Sequence, residues 1–136
     1  MGRISALLAV AYAALACDCG PAPICAESGH PIESLADVRA MGWHISEPMS
    51  TSTIEDEQMA ERRSYAELPD SRKDVPMVPF GFANDRWIDF KAELVEGDEI
   101  RRISTPSACC SRLAGWDGFV IVRQGRIVKF FMTLVS

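Results

Sequence analysis

Residues 119–132 read Phe-Val-Ile-Val-Arg-Gln-Gly-Arg-Ile-Val-Lys-Phe-Phe-Met, two β-branched and aromatic runs separated by Gln124-Gly125. A two-residue break ending in glycine between such runs predicts a β-hairpin closed by a tight primed turn. With that loop Arg123 faces Arg126, Val122 faces Ile127, Ile121 faces Val128, Val120 faces Lys129 and Phe119 faces Phe130. Opposed residues share a face of the sheet, so Phe119, Ile121, Val128 and Phe130, running on into Met132 and Leu134, form the expected core side. The other side is mixed: Val120, Val122 and Ile127 are apolar, Lys129 and Thr133 are not. That composition calls for partial cover by a second helix or a partner.

Working back from the hairpin, Trp87, Phe90 and Leu94 recur at helical spacing with Ile88 and Val95 alongside. Asn84 or Asp85 is the expected cap of this helix and Gly97 its stop. A strand follows over 99–104, with Ile100 and Ile103 on opposite faces. Thr105-Pro106 reads as an N-cap and first helical position, and Gly115 as a helix stop, which places Cys109 and Cys110 on a short helix. The order helix, strand, helix, strand, strand implies an α+β fold, a small antiparallel sheet with the C-terminal hairpin packed on one or two helices. The unit 83–136 is at the low end for an independent core, since a domain of ~60 residues buries only about 60% of its chain surface. A disulfide, or Trp43-His44-Ile45 docking as an extra strand, would supply the missing support.

Trp87-Ile88-Asp89-Phe90-Lys91, Gly97-Asp98-Glu99, Leu113-Ala114-Gly115 and the hairpin from Gly118 to Gly125 together resemble a pattern in small exported bacterial proteins of uncharacterised function. The likeness covers the C-terminal third. It implies the same small fold and a bacterial setting, and it carries no activity.

Ahead of this unit, residues 17–82 hold most of the proline, serine, threonine and acidic residues and a net charge of −7, the composition of an acidic, weakly ordered segment with short helices. Leu35 and Val38 mark one short helix, from Ser34 to Met41, ended by Gly42. Thr53 to Tyr65 marks another, with Thr53 as cap, Glu55, Asp56 and Glu57 in its first turn and Arg62 and Arg63 near its end. Its apolar residues are only Ile54, Met59 and Tyr65, so it is expected to be solvated.

Residues 1–16 read as a signal peptide: Arg3 precedes an apolar stretch from Ile4 to Leu15 that ends Ala14-Leu15-Ala16, the small-x-small pattern of a cleavage site. Cys17 follows at once. The residues around it resemble a bacterial lipoprotein box, although Ala14 stands where that box carries leucine and Leu15 where it carries a small residue. Simple cleavage and lipidation of Cys17 therefore compete for the same bond. The chain is read as exported, either periplasmic or anchored in the inner membrane through Cys17. Its only route to a membrane is that anchor or the uncleaved signal segment.

The remaining cysteines, Cys19, Cys25, Cys109 and Cys110, suit an oxidising compartment and are disulfide candidates. Adjacent helical residues point about 100° apart, so a Cys109–Cys110 bridge is disfavoured against cross-pairing with Cys19 or Cys25, or a local Cys19–Cys25 bridge. Cys17, Cys19, Cys25 and His30 are ligand types, but their spacing fits no zinc pattern, and no metal or other cofactor is expected.

Function classes narrow by subtraction. The chain has 14 basic and 19 acidic residues for a formal charge of −5, and no segment has the basic excess that several phosphate contacts require, so nucleic acid is not an expected partner. No phosphate-binding glycine loop, nucleophile elbow or His-Glu-x-x-His helix occurs. The only histidines, His30 and His44, are tied to no nucleophile, and no catalytic residue is assigned. What the sequence offers is a cluster of Arg101, Arg102, Arg123 and Arg126, able to bind an anion or an acidic partner, or simply to protect a sheet edge. The reading is a non-catalytic binding or interaction module of the bacterial envelope, its partner an envelope protein or a small ligand. The alternative is a small envelope enzyme or thiol-redox protein using Cys109 and Cys110, or Asp98 and Glu99 as an acid and base pair.

Overall fold

Gln124 and Gly125 both adopt left-handed backbone conformations, with φ of 52° and 77°, and turn the chain by the expected primed geometry. The computed structural model in which this is seen describes residues 31–106 and 115–135, the last two by backbone only. The proposed signal segment 1–16, the lipidation candidate Cys17, His30, the disulfide candidates Cys19, Cys25, Cys109 and Cys110, and the Cys-bearing helix beyond Pro106 lie outside the described residues.

The elements in chain order are α1 (Leu35–Ala40), β1 (His44–Ile45), α2 (Thr51–Ala66), a 3-10 turn (Gly81–Ala83), α3 (Asn84–Ala92), β2 (Glu99–Ser104), β3 (Trp116–Arg123) and β4 (Arg126–Val135). The four strands form one antiparallel sheet in the order β1-β2-β3-β4. The fold is α+β, with the C-terminal hairpin inside the sheet and helices on it. The Trp43-His44-Ile45 segment does dock as an added strand, His44 opposite Ser104 and Ile45 opposite Ile103.

Alternation along β3 divides the interior into two cores. Val120 and Val122 face Leu35, Val38, Met41, Trp43, Ile103 and Trp116, so α1 covers this side. Phe119 and Ile121 face Ile54, Trp87, Phe90, Ile100 and Phe131, so α2 and α3 cover the other. The cover therefore comes in part from residues ahead of position 83. Ile54 is the buried residue of α2, and at 1% exposure it anchors an otherwise polar helix to the sheet.

The hairpin register departs from the expected one beyond its first two pairs. Arg123 faces Arg126 and Val122 faces Ile127, but Ile121 then faces Lys129, Val120 faces Phe130 and Phe119 faces Phe131. Val128 is the extra residue of a β-bulge. The bulge exchanges the faces of the residues from Lys129 to Met132: Phe131, not Phe130, enters the α3 side, and Val128 and Phe130 are 43% and 38% exposed. Phe131 is favoured there because its ring centroid lies 4.7 Å from that of Phe80, 5.5 Å from Trp87 and 5.7 Å from Phe90. A second register shift leaves Thr133 between the Met132–Gly118 and Leu134–Asp117 pairs. Gly118 is required at that point, since a Cβ there would stand 2.3 Å from the Phe131 carbonyl oxygen.

Helix ends follow side-chain chemistry with shifts from the expected caps. Ser34 and Asp37 close a capping box on α1, as its short Leu35–Val38 pattern implied. On α2 the cap is Ser50, whose Oγ accepts from Thr53 N at 3.1 Å, and the helix begins ahead of Thr53. Asn84 does not cap α3; its Nδ2 donates to Pro79 O at 3.0 Å and ties down the preceding turn. The helix ends at Ala92, short of Gly97, which instead takes a positive φ of 88° in the turn into β2. The Thr105 hydroxyl, expected as a cap, accepts from Trp116 N at 2.8 Å and extends the β2–β3 pairing.

Candidate functional site

Where α2 leans over the sheet beside the start of α3, a cleft of about 350 Å³ opens. Its origin is legible in α2. Gln58, Glu61 and Arg62 follow the buried Ile54 at i+4, i+7 and i+8, so the helix face that docks becomes polar as it proceeds. Beyond Ile54 that face cannot close onto the sheet, and a polar cleft results.

Three arginines reach the cleft from three elements: Arg62 from α2, Arg86 from α3 and Arg102 from β2. Arg102 is committed. Its Nε and Nη2 donate to Asp117 Oδ1 and Oδ2 at 3.1 and 2.8 Å, a two-pronged pair that raises the guanidinium pKa above its usual value. Asp117 is held in turn through its backbone, where its carbonyl accepts from Thr133 Oγ1 at 3.1 Å. Arg86 lies with its Cζ 5.4 Å from the centroid of the Phe131 ring and makes one long contact, Nη2 to Met132 O at 3.4 Å. Arg62 has its Cζ 5.3 Å from the Tyr65 ring centroid, and its buried Nε has no hydrogen-bond partner among the described residues. Neither Arg62 nor Arg86 forms an ion pair with a described acid. Against the three cations stand two acids, Glu61 and Asp117, and Gln58 Nε2 donates to Glu61 Oε2 at 3.2 Å.

The apolar part of the lining comes from Phe80, Ala83 and Phe131. Phe80 has a φ of 63°, a left-handed conformation that costs a bulky residue strain and is sustained only by its surroundings. Its ring is wedged between Phe131 and Trp87, with centroids 4.7 and 4.9 Å away. The next residue, Gly81, also has a positive φ, and a Cβ on it would come within 3.3 Å of Arg62 Nη1 and 2.8 Å of Val75 Cγ1. The strained turn thus makes room for the Arg62 guanidinium.

Behind the cleft, Glu55 Oε1 accepts from Trp87 Nε1 at 2.9 Å and from Lys91 Nζ at 2.5 Å, linking α2 to α3. The Lys91 and Trp87 donors hold the Glu55 carboxyl below the usual carboxylate range.

Of the four arginines singled out from sequence, the cleft contains Arg102. Arg101 pairs with Glu99 at 2.9 Å and donates to Ser46 O at 3.0 Å. Arg123 grips Asp98 through Nε and Nη2 at 2.8 and 2.9 Å. Arg126 sits opposite Arg123 at the hairpin end and bridges Ser34 in the backbone; the Asp37 carboxyl nearby is lowered chiefly by the Glu33 backbone N–H, with Arg126 the least of the contributors. Asp98 and Glu99, the acid and base candidates, are thus each engaged by an arginine. With its side chain 1% exposed, Asp98 is lowered to a pKa of about 2, chiefly by Arg123 and then by the Val95 backbone N–H. Arg62 and Arg86 belong to no motif in the sequence; the one signal for them is the polar continuation of the Ile54 face. Among the described residues no group of three or more His, Cys, Asp or Glu is placed to hold a metal, and no helix is long and apolar enough to cross a membrane. Comparison of the chain with family models, with curated proteins and with solved structures finds no match.

Proposed function

We propose that this chain is an exported, non-catalytic binding module of the bacterial envelope, which holds an anionic group of a small ligand or envelope protein in the cleft between α2, α3 and the sheet. One observation carries this reading. Arg62 and Arg86 line the cleft without a described acid to neutralise them. An anion entering the cleft supplies the counter-charge that no described acid offers Arg62 and Arg86, through charge-assisted hydrogen bonds from their guanidinium groups. The strained Phe80-Gly81 turn that accommodates Arg62 supports the same assignment, because strain of this kind clusters at ligand sites. Export rests on the signal-like residues 1–16, and membrane anchoring on Cys17.

Thermal unfolding of the protein in the presence of anions of graded charge and size, each against a neutral counterpart, tests the binding reading. Anions are expected to raise the midpoint, and an Arg62→Gln/Arg86→Gln double variant to abolish the rise. Equal shifts from neutral and charged compounds would refute it. Export is tested by intact mass from a bacterial host: a species beginning at Cys17, with or without acyl mass, supports it, and retention of residues 1–16 in a soluble cytosolic species overturns it.

A further inference from the structure

Building on the anion-binding reading, we infer that the cleft takes a single carboxylate carried on an apolar body about the size of one aromatic ring. Charge makes the first selection. The lining carries three guanidinium groups and two carboxylates, and the Glu57 carboxylate acts on Arg102 from beyond it. With so small a positive excess, a single negative charge is the most the site balances. A dianion would leave net negative charge beside Glu61 and Asp117 in a partly enclosed space, where uncompensated charge is costly.

Geometry makes the second. Arg102 is already paired in two-pronged fashion with Asp117, which leaves Arg62 and Arg86, on two different helices, to grip the ligand. A planar carboxylate matches a guanidinium fork with two parallel hydrogen bonds. Gln58 from α2 and Thr133 from β4 add neutral polar groups to the lining.

Apolar contact makes the third. Phe80, Ala83 and Phe131 offer a ring-bearing surface next to the two guanidinium groups that no described acid pairs. A second recess of about 200 Å³ shares Arg86 and Phe131 with the cleft and adds Phe130 and Met132 together with the charged pair of residues Asp89 and Lys129. The main volume of about 350 Å³ is at the lower end of the roughly 300–1,000 Å³ of small-molecule sites, which suits a small ring-bearing acid rather than a large cofactor. The same chemistry occurs in a free aryl or acyl acid and in the C-terminus of a peptide ending in an apolar residue.

Calorimetric titration of the full chain separates these. The probes are 3-phenylpropionate, its amide, its phosphonate analogue 2-phenylethylphosphonate, acetate, and the peptide acetyl-Ala-Ala-Phe as free acid and as C-terminal amide. The expected result is binding of a ring-bearing carboxylate at least tenfold tighter than its amide and than acetate, with Arg62→Gln and Arg86→Gln each weakening it at least tenfold. Arg126→Gln, outside the cleft, should leave the affinity unchanged. Circular dichroism and the melting midpoint check that each variant is folded, and Arg62→Lys, which keeps the charge but loses the fork, should bind with intermediate affinity. A peptide acid binding more tightly than 3-phenylpropionate assigns the ligand to a protein C-terminus; the reverse assigns it to a free acid. Preference for the phosphonate over the carboxylate overturns the carboxylate inference and leaves the anion-binding reading standing. Equal binding of acid and amide, or no binding by any anion, overturns both.

Discussion

Truncating Phe131 and Phe130 separately distinguishes the bulged hairpin from the simple one. In the bulged register Phe131 is 3% exposed and within ring-contact distance of Phe80, Trp87 and Phe90, whereas Phe130 is 38% exposed and contacts one described ring, that of Trp116, at 5.9 Å. Phe131→Ala removes a fully enclosed ring and leaves a cavity, for a cost of about 3–5 kcal/mol. Phe130→Ala loses only the buried part of a side chain whose full burial stabilises by about 1.5–3 kcal/mol, and water fills the space, so about 1–2 kcal/mol is expected. The difference between these ranges, about 1–4 kcal/mol, is read by a urea titration followed by tryptophan fluorescence and far-ultraviolet circular dichroism. Should Phe131→Ala fail to fold, Phe131→Leu against Phe130→Leu keeps the comparison, with the same order expected. Val128→Ala, at the bulge and 43% exposed, should cost less than about 1 kcal/mol. A Phe130 cost equal to or above that of Phe131 would refute the bulge and restore uninterrupted alternation.

Three further expectations follow from single positions. Gly118→Ala should destabilise by about 1–3 kcal/mol in the same titration, because the new Cβ meets backbone rather than a side chain able to move; a neutral effect would contradict the close β3–β4 approach. Gln124→Asn should raise stability by up to about 1 kcal/mol, since asparagine tolerates the left-handed conformation that Gln124 holds at φ 52°; a loss of stability would contradict the primed turn. Asp98, lowered to a pKa of about 2, contributes stability that is present above its unfolded value near 3.9 and is lost as pH falls from about 4 through 2. Asp98→Asn should flatten that acid limb, and an unchanged limb in the variant would show that Arg123 does not hold the carboxylate.

Local signals accounted for most of the elements. Ser34, the Leu35–Val38 spacing and Gly42 delimit α1, the Gln124-Gly125 pair specifies the hairpin, and Ile100 and Ile103 fall on opposite sides of β2 as their odd separation requires. Each depends on residues within one element or turn. The register beyond Val122 does not. Phe130 and Phe131 are equally apolar, so composition offers no choice between them, and the bulge is selected by three rings that arrive from α3 and the turn before it. The candidate site was less legible still. Arg101, Arg102, Arg123 and Arg126 attract attention as charges on strands, yet Glu99, Asp117 and Asp98 engage the first three. Arg62 and Arg86 look like ordinary helix-surface residues until α2 and α3 are set side by side.

The amino-acid order by itself determined the α+β class, the position of the turn and the two-faced character of the sheet, because these follow from short-range periodicity and from backbone preferences of individual residues. Packing between distant segments set the bulge, the cover of the sheet by α1 and α2, and the cleft with its two arginines free of described acids. Those features arise from contacts across wide sequence separation, as where Glu55 meets Trp87 and Lys91. Their free energy depends on which side chains fill a shared volume, a quantity that no local pattern encodes.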